Sequence, residues 1–412
     1  MNINLLRSFV LGAFFSGSLA SLACGDWEAP IIISEPAVSS RSPRAQMDPQ
    51  GTVFAIFTTS STSTERVAIR PPGGNFGTPQ LSPQPSGWEG VRYAFEASGA
   101  GLLAWNDSSD NLKITERQAG ASNDYGATQS ITTNTPPGYT LYGHFIDINT
   151  SGEAVLAYYE KRPSPASGRQ LLVATRPAGA SSTFGAGEIL SINNPNSYFG
   201  ENVFIDPDGS ITVTWLEGNT PSVLKQARRD AGASVFIVST IASDVNILGG
   251  GTAPHGAKSG NGHALITWIT PFDVSLQQVT MRASVKVPSG GFGAPQTLGS
   301  GRFGSQRGGI APDGSGFAGW FELIDPSGTC TPDGARIRGS FLSGGLFGPE
   351  QRVSTAAERT GSDLDVAVGE DSSLYIIYPT RGLAENDPDP CVAGTYTPTA
   401  VVGSVACGGR LG

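Results

Sequence analysis

The chain has 412 residues, with 35 acidic side chains against 26 basic ones and a formal net charge of −9. That balance argues against nucleic acid as a partner, because any positive patch must be local. Charged residues make up only 15% and hydrophobic ones 38%, while glycine reaches 55 and proline 29. This composition excludes a disordered chain and favours many turns over long helices.

At the N-terminus, Arg7 is followed by an apolar run of small and aromatic residues from Ser8 to Ala23. The pattern predicts a secretory signal peptide over residues 1–23, too short for a membrane span, cleaved after Ala23. Ser21-Leu-Ala-Cys24 is also similar to a bacterial lipobox, but has Ser21 where leucine is usual. Two destinations stay open: secretion to the periplasm or cell surface, and an outer-membrane lipoprotein held through Cys24. No other segment predicts a transmembrane helix, and residues 24–412 read as one domain and a monomer.

Residues 24–36 look like a detached piece of a longer pattern. Trp27 and Ile31–Ile33 match Phe292 and the strand Pro295-Gln-Thr-Leu298 much further along. The pattern is a repeat with a period of roughly 50 residues. Gly51, Gly99, Gly152, Gly209, Gly262 and Gly314 each stand six residues before an aromatic: Phe57, Trp105, Tyr158, Trp215, Trp268 and Trp320. A seventh copy keeps the spacing with Ser372 and Tyr378. Three residues before the glycine stands a turn starter in most copies: Asp48, Glu96, Asn149, Asp206 or Ser259. Strand-like runs such as Ile211-Thr-Val-Thr-Trp215 follow. A Phe-Gly or Tyr-Gly pair then marks a second turn (Gly77, Gly126, Gly185, Gly293, Gly348), preceded in several copies by an arginine: Arg70, Arg117, Arg176.

Each unit therefore predicts four short antiparallel strands: A before the first turn, B up to the aromatic, C before Phe-Gly and D after it. The units run over 37–86, 87–137, 138–193, 194–247, 248–300, 301–356 and 357–412. The last unit ends after its C strand, so residues 27–36 are expected to supply its outer strand and close the ring. Four cysteines in an exported chain predict disulfides. Cys330 and Cys391 fall in B–C loops of neighbouring units, and Cys24 and Cys407 at the chain ends; the expected pairs are Cys330–Cys391 and Cys24–Cys407. Lipid on Cys24 leaves Cys407 unpaired.

The Asp-x-x-Gly…Trp repeats resemble those of secreted bacterial seven-bladed β-propellers, and the resemblance covers the whole mature chain. It implies an all-β fold of seven four-stranded antiparallel blades. The Gly-His…Trp-Asp and paired-glycine signatures of other propellers are absent. The sialidase motif places its aromatic three residues after glycine rather than six, so any likeness to sialidases is one of shape. Fold alone does not give function.

In such a fold the D–A connections and B–C loops share the face where ligands bind. Four residues before each turn starter, at the mouth end of strand A, stand Arg44, Arg92, Phe145, Asn202, His255, Arg307 and Asp365. Neighbours such as Tyr93, Ile146 and Val203 are apolar, so the polar set is expected to point away from the core. Arginine forks match carboxylate, sulfate or phosphate. The favoured reading is a propeller that binds a glycan or protein partner, with an acidic glycan or other anion held by Arg44, Arg92, Asn202, His255, Arg307 and Asp365. The alternatives are a polysaccharide-active enzyme at the same mouth, either a sialidase-like hydrolase or a lyase, and a structural envelope module. An enzyme would draw on His144, Asp147, Glu201, Asp363, Tyr142 or Tyr198, none of which the spacing assigns to a role. Trp88, Tyr142, Tyr198, Phe199 and Phe303 are candidates for sugar stacking. The carboxylates of Glu385–Pro390 read as a solvated loop, and no cofactor or metal motif is found.

Overall fold

The structure, a computed structural model, describes the chain from Ile31 to Ser404 except residues 34–39, 60–63, 82–90, 97, 108–111, 120–124, 132–139, 162–168, 180–182, 195–201, 219–220, 247–252, 274, 276–277, 302, 324–334, 354–358, 361–363, 370–371 and 382–395. The predicted signal peptide, all four cysteines, Trp27, Trp88, Tyr198, Phe199, Glu201, Asp363 and the Glu385–Pro390 cluster lie outside the described residues.

The described residues form strands and no helix, so none could cross a membrane as a helix. The strands pair antiparallel into seven sheets, consistent with a β-propeller built from four-stranded units. The fourth sheet is the plainest: A Asn202–Ile205, B Ile211–Glu217, C Ser222–Arg229 and D Ile237–Val245, hydrogen-bonded in that order. In the sixth sheet, Leu346–Phe347 and Gln351–Arg352 both pair with strand C. In the last sheet the inner position is shared by Arg359–Thr360 and Asp365–Val368, and Ile31 and Ile32 pair with Ala400 and Thr399 of its strand C.

The A–B turn explains why the repeat is spelled as it is. In every sheet the N–H of the glycine position bonds the carbonyl three residues earlier, from Gly51 to Asp48 through Gly314 to Ala311. The Asp48 carboxylate accepts the N–H groups of Gln50 and Thr52 at 3.0 and 2.8 Å, and Asn149 does the same for Ser151 and Glu153. The turn ends on a left-handed residue, which glycine adopts at no steric cost. Gly209 has φ +86°, but the seventh copy puts Ser372 there at φ 64°. Ser372→Gly is therefore expected to raise the unfolding free energy by about 0.5–1 kcal/mol, measured by urea denaturation.

The repeated aromatics pack between sheets and are all buried: Phe57, Trp105, Tyr158, Trp215, Trp268, Trp320 and Tyr378. Hydrophobic clusters join each sheet to the next. Phe54 and Ile56 meet Tyr93 and Leu103; Trp268 meets Phe204 and Leu216; Tyr375 and Ile377 of the last sheet meet Val53 and Phe57 of the first. The arginines before the Phe-Gly turns also acquire a role. In five sheets the last residue of strand C is a cation that reaches back to the preceding sheet. Arg70 contacts Tyr375, Arg117 stacks on Phe54 at 4.5 Å, and Arg176 pairs with Glu116 at 2.7 Å. Arg229 pairs with Glu188 at 3.3 Å, and Lys286 with Asp206 at 2.6 Å.

Candidate functional site

Strand A of all seven sheets lines one central cavity of about 940 Å³. Arg44, Arg92, Phe145, Asn202, His255, Arg307 and Asp365 all face it, so the residue found by counting back from each turn starter does reach the channel. In the second, fourth, fifth and seventh sheets this residue opens a strand A segment: Arg92–Phe95, Asn202–Ile205, His255–Lys258 and Asp365–Val368. In the first, third and sixth sheets strand A begins earlier and passes through a register shift before or at this level.

An innermost strand has one edge with no neighbouring strand, and its backbone groups need partners. Side chains of the preceding sheet supply several. Asp365 accepts the N–H of Ala45 at 2.8 Å, Asp147 that of Ile205 at 2.7 Å, and Asn202 that of Gly256 at 2.8 Å. Three acceptors on the innermost strands are thus tied to backbone. Asp365 also lies 3.5 Å from Arg307 and 3.8 Å from His255. Deeper in the channel Lys258 binds Asp147 at 2.7 Å together with the carbonyls of Ile148 and Ile205, joining three sheets. Burial pushes the Asp147 carboxyl up, and Lys258 opposes the shift.

The arginines differ from these acceptors. Arg44 donates to the Val91 carbonyl at 2.7 Å and stands 3.9 Å from Glu65, a buried carboxylate that sequence spacing did not flag. Arg92 makes no ion pair within 4.0 Å among the described residues. Its guanidinium lies on the Phe145 ring, 4.7 Å from the centroid, with one long hydrogen bond of 3.3 Å to the Val91 carbonyl. Its pKa is lowered to about 9, first by burial and then by the positive charges of Arg44 and Arg307, against the weaker pull of Asp365 and Glu65. The guanidinium keeps its proton at neutral pH, so it stands as a buried cation with two like charges near it.

His255 keeps part of its side chain open to the channel, yet it lies deep among other groups. Burial, then Arg307 and Arg92, hold it well below the ordinary histidine value. It is neutral at pH 7. As pH falls below about 6.5 the unfolded chain takes up a proton that the native His255 refuses, so the native state loses stability. Unfolding free energy should therefore drop between pH 7 and 5, and His255→Gln should flatten that slope in paired denaturation series.

Of the remaining candidates, His144 is buried, with Nε2 3.0 Å from the Ala104 carbonyl, so it does not face the channel. His263 sits by the A–B turn, bonded to Asn261. No group of three or more possible metal ligands occurs among the described residues.

No family model matches the chain, and no curated protein does. Among solved structures it is similar to a polysaccharide lyase, Uly1, at 12% identity, covering 88% of this chain and 89% of that one with a TM-score of 0.52. It is also similar to a fungal alcohol oxidase of the AA5 family in complex with copper, at 10% identity over 92% and 76% of the two chains, TM-score 0.52. A subtype N11 neuraminidase-like protein of A/flat-faced bat/Peru/033/2010 follows at 9% identity over 93% and 94%, TM-score 0.46. At these identities the likeness is one of fold, and the fold is the β-propeller.

Proposed function

We propose that the chain is an exported β-propeller whose seven sheets act as the blades of one ring closed by the Ile31–Ile32 strand, and that it binds an acidic glycan at the channel mouth. Arg92 is the principal contact, with Arg44, Arg307 and His255 around it. The observation that carries this reading is Arg92 itself: a guanidinium sunk in the channel wall, flanked by two others, with no carboxylate at ion-pair distance among the described residues. An uncompensated buried cation costs the fold stability, and an anion recovers that cost on binding. Extracellular polysaccharides rich in uronic acids offer carboxylates at the spacing of sugar rings. Asn202 and Asp365 belong to the frame of the site in this reading, since their oxygens hold the neighbouring strand edge. A glycan array probed with the wild type and with Arg92→Ala tests the proposal. Selective signal on carboxylated glycans, lost in the variant, is the expected outcome. Equal signal on neutral and acidic glycans would remove the anion site.

A further inference from the structure

We infer that Phe145 is a positioning residue for this site: it holds the Arg92 guanidinium over its ring, and so keeps it available to a carboxylate. The inference rests on the anion-binding reading above. Of the seven side chains at this level of the channel, Phe145 is the one that is wholly apolar. Its ring is partly open to the channel, whereas Ile146 beside it is buried in the core. One side of the ring packs against the core between the third and fourth sheets, and the Arg92 guanidinium lies over the ring, 4.7 Å from its centroid.

The alternatives open to Arg92 explain what the ring achieves. Asp365 and Glu65 both attract it, yet neither lies within 4.0 Å. An arginine that swung onto either carboxylate would neutralise itself and be lost to a ligand. An aromatic face attracts the cation without using any of its N–H donors. The donors lie in the plane of the guanidinium, and among the described residues one of them is engaged, by the Val91 carbonyl at 3.3 Å. A planar two-oxygen acceptor is the shape that such an edge matches.

The test uses the full mature chain with tri-galacturonate as probe, read by titration calorimetry and by the nitrogen-15 spectrum of arginine side chains. In the wild type the Arg92 Nε–H should be shifted upfield by the ring current before any ligand is added. Phe145→Leu should return that resonance to the ordinary arginine position and weaken tri-galacturonate binding by about three- to fivefold. Phe145→Tyr should restore both readings. A wild-type Arg92 resonance with no upfield shift overturns the inference without any variant, so a folding failure in Phe145→Leu does not rescue it. Wild-type-like affinity in Phe145→Leu overturns it while leaving the anion site intact. Absence of binding to the wild type overturns the functional reading and the inference with it.

Discussion

Replacing Lys286 with methionine should lower the unfolding free energy by about 3–5 kcal/mol in guanidinium denaturation. Lys286 and Asp206 are both essentially shielded from solvent, and Nζ meets the two carboxylate oxygens at 2.6 and 2.8 Å. The ammonium also donates to the Gly262 carbonyl at 3.0 Å, so one group ties the fifth sheet's turn to the fourth sheet's. Burial pulls the lysine below its ordinary pKa against the attraction of Asp206. Methionine fills the space of the stem but leaves Asp206 with Arg228 at 3.5 Å as its nearest remaining cation. Replacing both residues, Lys286→Met with Asp206→Leu, should recover part of the loss, because no unpaired charge then stays buried. Arg229→Met is the contrast: its partner Glu188 is 45% exposed, and the expected cost is below about 1 kcal/mol. A Lys286→Met cost equal to that of Arg229→Met would refute the idea that these strand-end cations tie buried interfaces.

Trp268→Ala should destabilise by a comparable amount, about 3–5 kcal/mol, through the cavity it leaves. Trp268 has no exposed surface and fills the space between the fourth and fifth sheets against Phe204, Leu216 and Phe292. Both walls of that space are strands fixed in register by their neighbours, so they cannot collapse inward. Val287→Ala is the matched control. Val287 is 57% exposed in the turn just after strand C of the fifth sheet, and its truncation should change stability by no more than about 0.5 kcal/mol.

These two residues also mark where sequence reading succeeds and where it stops. The turn glycines and the aromatics six residues later are legible because each is forced by local geometry: a left-handed backbone position, then a strand whose last inward side chain must fill an inter-sheet gap. Repetition makes the signal stand out. The channel residues inherit that legibility, since they lie at a fixed count from the turn, and all seven face the cavity. What they do there was not legible. Asn202 and Asp365 read as ligand contacts, and each also gives an oxygen to a free strand edge. Lys286 and Asp206 are 80 residues apart, and Lys258 meets Asp147 from two sheets away. Such pairs depend on how one sheet is rotated against the next, which no local spacing encodes. Glu65 escaped notice for the same reason, because it approaches Arg44 from strand C rather than from the channel level.

The most direct measurement of the central claim is an equilibrium titration of the wild type and Arg92→Ala with oligogalacturonate, with the neutral oligogalactose of equal length alongside. The wild type should bind the acidic oligomer and ignore the neutral one. Arg92→Ala should melt no lower than the wild type, since it removes an uncompensated buried charge, and should bind at least about tenfold more weakly, the loss of one charge-assisted contact of 1.5–3 kcal/mol. Equal affinity of the two proteins for the acidic oligomer, or equal affinity of the wild type for both oligomers, would contradict it.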